Sequence, residues 1–166
     1  YDITYKSILI FFAESQNKLL YAVTGQTAAE IIVNRADASE PNMALTSWKG
    51  NVVRKQDIFT AKNYLLKDEI DTLNRLTVLF LDTAELRVKE RKDLNLHYWR
   101  ETVDGLLNFQ GKLVLQGAGS VSAKQMEAHV EAVYEQFNAK RKALARADAD
   151  EEDQQMILAD TDLLAL

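Results

Sequence analysis

The chain has 166 residues, which fits one domain with a tail and is long enough to bury a real core. It is 47% hydrophobic and 27% charged, an ordinary globular composition, and without cysteine it can hold no disulfide, thiolate metal site or cysteine nucleophile. The net charge of −5 is uneven: seven acids and no base lie from Asp148 onward, leaving the body close to neutral at +2. The expected division is therefore a helical domain over 1–147 and an acidic tail over 148–166. Two histidines, His97 and His129, are too few for a multi-histidine metal site, and the expectation is of no metal and no cofactor. The chain begins at Tyr1 and not at methionine, as expected of a fragment or processed product, and nothing in it resembles a signal peptide.

In chain order, Ile3 to Thr24 reads as a first helix, with Gly25 placed to end it. Its apolar run "ILIFFA" is too short to span a bilayer. A second helix covers about Thr27 to Ala36, and Pro41 prevents its continuation by forcing Glu40 out of the α region. A long irregular passage, "ADASEPNMALTSWKG", has no apolar period, and alternation around Thr46 to Val53 is only weakly strand-like. A third helix is predicted from about Arg54 to Leu66. The fourth begins near Lys67, where Asp68, Glu69 and Asp71 complement the helix dipole. Between Leu76 and Leu81 it is apolar on almost every side, which predicts a buried central element. A fifth helix lies in "LNLHYWRETVDGLLNFQ", closed by Gly111. Ser122 with Gln125 then forms a capping box that opens a long C-terminal helix. The predicted class is all-α: a single domain of five to seven helices around a buried central helix, with a long ordered loop after helix 2.

Candidate motifs mostly have plain readings. "GAGSVS" lacks the strand–turn–helix setting of a dinucleotide fingerprint. "DADEED" lacks the glycine and closing glutamate of a calcium loop. His97 lies four residues before Glu101, as a surface pair would, and His129 sits at the edge of an apolar face. The basic clusters 87–92 and 140–146 offer a nucleic-acid surface, although solvated helix faces give the same pattern. The apolar ending "MILADTDLLAL" is suited to docking on a neighbouring subunit or to fraying. Gln16 and Asn74 share helix faces with apolar residues. A buried amide without partners costs on the order of 2 kcal/mol, so both are expected to turn inward and hold the irregular passage. Trp48 is expected in an apolar slot beneath it.

The segments "FFAESQNKLLYAVTGQTAAEII", "RADASEPNMALTSWKG", "VRKQDIFTAKNYL" and "EIDTLNRL" together resemble the RhuM-type virulence protein family of bacteria. The likeness is dense to about Glu85 and looser to about Phe137. Gln26 stands where histidine is common in that family, and Ala44 where glycine is common. The resemblance implies a cytoplasmic bacterial protein whose front part, not contained in this chain, looks like a DNA-binding module. The family has no agreed biochemical activity. The polar residues matching its pattern, and so the candidate site, are Gln16, Asn17, Lys18, Glu30, Arg35, Asn42, Thr46, Trp48, Lys62, Asn63, Asn74 and Arg75.

Three functions are the alternatives. The first is a helical interaction or regulatory module that binds a protein partner or a second copy of itself. The second is a toxin-like enzyme acting on nucleotide or protein; "HYWRETVDGLLNF" lacks the residues of a Fic-type site. The third is direct nucleic-acid binding through the basic clusters. The expectation is the first, with no membrane role.

Overall fold

The computed structural model describes residues 5–90 and 95–165. Among them are five α-helices and no strand: α1 Tyr5–Thr24, α2 Ala28–Arg35, α3 Lys67–Lys89, α4 Leu96–Phe109 and α5 Ala123–Leu164. The all-α expectation and the long C-terminal helix are both present.

Local signals set the helix ends. Gly25, at φ +73°, closes α1, and Gly111, at φ +68°, comes just after α4. Thr27 caps α2 through a reciprocal box: Glu30 N donates to Thr27 Oγ1, and Thr27 N donates to Glu30 Oε2 at 2.8 Å. The same device opens α5, where Ser122 N donates to Gln125 Oε1 and Gln125 N to Ser122 Oγ.

The core lies around the irregular passage between α2 and α3. Ile31 and Ile32 of α2, Val130 and Phe137 of α5, and Leu20 of α1 enclose Met43, Leu45, Val53, Ile58, Tyr64 and Leu65. Trp48 is half-buried against this cluster. A smaller cluster of Leu76, Val103 and Leu107 joins α3 to α4. The central position therefore belongs to the connection and not to the fourth predicted helix. The apolar run in α3 buries only its Leu76 side, because α1 and α4 both pack on that side. Val78, Leu79 and Leu81 stay exposed at 55%, 38% and 58%.

The helix predicted over 54–66 is instead two short 3-10 turns, Lys55–Phe59 and Ala61–Tyr64, joined by Thr60 in extended conformation. Side chains have taken the carbonyls that a continuous helix would use. Asn63 Nδ2 donates to Asp57 O at 2.9 Å, and the Tyr64 hydroxyl donates to Ile58 O at 2.8 Å.

Pro41 begins a turn in which Asn42, Met43 and Ala44 all adopt left-handed conformations, φ +55°, +58° and +65°. This left-handed turn drives Met43 completely into the core. For an alanine, the left-handed region costs about 1–2 kcal/mol. Glycine would remove that cost but add about 0.4–1 kcal/mol of unfolded-state entropy. Ala44→Gly is therefore expected to stabilise the domain by about 0.5–1 kcal/mol in thermal denaturation. A loss of stability would mean that the turn does not have this geometry.

Candidate functional site

The side chains that hold the passage are not the two amides expected to do so. Gln16 and Asn74 are both exposed. Leu9 and Phe12, which share a face with Gln16, are themselves 51% and 61% exposed, so α1 turns that face outward and buries Phe11, Ser15 and Leu20. In α3 the buried positions are Leu73 and Leu76, which leaves Asn74 on the solvent side beside Arg75. An amide facing water keeps its hydrogen bonds at no desolvation cost. Arg75 makes only an exposed pair with Asp71 one turn away.

Two clusters hold the passage instead, and a third fixes the start of α2. In the first, Arg35 at the end of α2 makes a two-pronged pair with Glu69, Nη1 to Oε1 at 2.6 Å and Nη2 to Oε2 at 2.8 Å. Its Nη1 also donates to Tyr64 O at 3.0 Å. Glu69 additionally accepts Leu66 N, which starts α3. The hydrogen bonds from Arg35 hold the Glu69 carboxyl below the ordinary carboxylate range against a smaller opposing effect of burial.

The second cluster joins the two halves of the passage. Thr46 N donates to Asn63 O at 2.7 Å, and the Thr46 hydroxyl lies 2.6 Å from Leu65 O. Beside it, Ser47, Trp48, Lys49, Gln56, Asp57, Thr60 and Asn63 line a hollow of ≈ 570 Å³. Asp57 is only 4% exposed, and Arg54 N donates to its Oδ2 at 2.8 Å. Lys49 N reaches the other oxygen at 3.4 Å. Sequence reasoning missed Asp57. Its position three residues after Arg54, at the start of a turn, was the one signal that pointed to it.

The third cluster sits at the start of α2. Asn17 Oδ1 accepts Ala28 N at 3.0 Å, while Glu30 Oε1 accepts both Ser120 N at 2.7 Å and the Ser120 hydroxyl at 2.9 Å. These bonds, the Ser120 amide first, lower the Glu30 carboxyl from its ordinary value. They also bring the 117–120 loop so close that a Cβ on Gly119 would lie 2.5 Å from Thr27 Cγ2. Lys18 pairs nearby with Asp104 at 2.6 Å.

The candidate residues thus fall into separate places. Thr46, Trp48 and Asn63 are brought together. Arg35 serves α3, Asn17 and Glu30 serve the other end of α2, and Lys62, Asn42, Gln16, Asn74 and Arg75 are exposed. His97 faces Glu101 at 3.2 Å on the surface, and His129 is exposed. Among the described residues, no helix is long and apolar enough to cross a membrane.

The fold and these clusters define an all-α domain in which polar residues pin a connection of short 3-10 turns between α2 and α3, whose apolar side chains enter the core. The family model described as virulence protein RhuM family matches residues 1–145, and the chain belongs to that family. No curated protein and no solved structure matches it.

Proposed function

We propose that this domain is a helical interaction or regulatory module of a virulence-associated bacterial protein, working in the cytoplasm and joined to a DNA-binding part ahead of it. The observation that carries this reading is an open apolar groove of ≈ 380 Å³ between α1, α3 and α4. Ile8, Phe11, Phe12, Phe80, Leu81 and Trp99 line it, and Phe12 and Leu81 are more than half exposed. Contiguous exposed apolar surface is a mark of protein contact sites.

An enzyme reading draws its support from the hollow beside Asp57. That carboxylate already has both oxygens engaged by backbone amides, which is a structural use. The groove is tested by placing a photo-crosslinking residue at Phe12 or Leu81 of the full-length protein in bacterial cells. A crosslinked species of defined mass is expected, and Leu81→Glu should remove the species captured at Phe12 without altering the circular dichroism. Illumination that yields only uncrosslinked protein at both positions would discard the reading.

A further inference from the structure

Helix α5 is 42 residues long, but its last described side-chain contact with the body is Arg141, whose Nη1 donates to Val53 O at 2.9 Å. The remaining 23 residues project about 35 Å at the α-helical rise. All of 145–164 is exposed. An unsupported helix of that length is marginal in water, because most helical stability in proteins comes from packing. No glycine or proline interrupts α5, so the projection has no hinge with which to fold back on its own body.

The charges along α5 come in blocks. Residues 140–146 carry four bases and no acid, and 148–153 carry five acids and no base. Within each block like charges repel one turn apart, as in Lys142 with Arg146 and Asp148 with Glu152. Neither Lys142, Arg146 nor any of these five acids makes an ion pair or side-chain hydrogen bond among the described residues.

We propose that two copies of this chain pair through the outer face of α5, antiparallel, about a two-fold axis near Ala147 and Asp148. This rests on the interaction-module reading and supplies one partner for it, on a surface separate from the groove. The antiparallel arrangement lays the basic block of each copy against the acidic block of the other. Parallel pairing would set like against like.

Steps of four and three from Ala139 lead through Arg146, Asp150 and Ile157 to Leu164, the spacing of a two-helix seam. In the antiparallel register Arg146 meets Asp150 of the second copy. Asp153 and Asp160, on the same stripe, reach Lys142 and the Gln136 amide. Ile157 and Leu164, 65% and 89% exposed, then cover Ala139 and Ala132 on the exposed face of the other copy. The contact is isologous, so it closes as a dimer.

The test is light scattering and sedimentation of the full chain. The wild type should be a dimer at roughly 100 µM or below, weakening as salt rises. Lys142→Glu with Arg146→Glu, and separately Asp150→Lys with Asp153→Lys, should each weaken pairing about tenfold or more. An equimolar mixture of the two variants should restore a dimer, since each changed block then meets an opposite one. Circular dichroism and melting of the body show whether each variant is folded. Should a reversal unfold, the Gln versions of the same positions must still weaken pairing. A wild-type monomer, or variants that fail to rescue each other, would overturn the proposal. A dimer indifferent to both reversals would overturn it too, while leaving the interaction-module reading in place.

Discussion

Replacing Arg35 by alanine is expected to lower the unfolding free energy by about 2–3 kcal/mol, between the values for exposed and fully buried ion pairs. The side chains of Arg35 and Glu69 are 26% and 19% exposed, so water screens the pair only partly. Three hydrogen bonds go with the guanidinium, two to Glu69 and one to Tyr64 O. Glu69 keeps the Leu66 amide afterwards, which limits the loss. For a chain of this size the change corresponds to a fall of about 4–12 °C in Tm.

Arg35→Lys should recover less than half of this, because an ammonium does not reproduce the planar fork. The sign with pH is also fixed. Glu69 is lowered in the fold, so its contribution is present above the ordinary carboxylate pKa and is lost as pH falls through the lowered value. Arg35→Ala should therefore flatten the acid side of the stability curve. An Arg35→Ala protein as stable as the wild type, with the same acid limb, would mean that α2 and α3 are held by packing alone.

The features that could be foreseen from the residues are those that depend on three or four neighbours. Ser122 with Gln125 and Gly25 after α1 are features of a single helical turn, and both were legible. The helix α3 was legible as a helix, yet its burial was not. An apolar run says that a side chain can be buried, while the packing of α1 and α4 decides which side is. The amides failed for the same reason: Gln16 and Asn74 share faces with apolar neighbours, yet among the described residues both are exposed.

The clasp itself joins Arg35 to Glu69, 34 positions on, and Thr46 to Leu65, 19 positions on. No local period encodes such pairs. The left-handed turn at Asn42 to Ala44 carries no glycine to announce it, and the side chains of Asn63 and Tyr64 take carbonyls that a single helix over 54–66 would have used.

Tyr64 separates packing from hydrogen bonding within that clasp. It is 1% exposed, its ring fills the core between α2 and the 3-10 turns, and its hydroxyl donates to Ile58 O. Tyr64→Ala should cost about 3–5 kcal/mol by opening a cavity. Tyr64→Phe keeps the ring and strands only the Ile58 carbonyl, so about 1–2 kcal/mol is expected. Burial holds the phenol well above its ordinary pKa of 10. The native state therefore keeps this proton where the unfolded chain releases it. The stability from the neutral phenol is present below pH 10 and falls as pH rises above it. The difference between wild type and Tyr64→Phe should accordingly shrink in urea unfolding monitored from about pH 8 to 11. A constant difference over that range would mean that the hydroxyl titrates alike in both states and is not sealed in the core. The passage between α2 and α3 would then be a surface strap. If the difference shrinks, the least regular stretch of the chain is also the one around which its helices are organised.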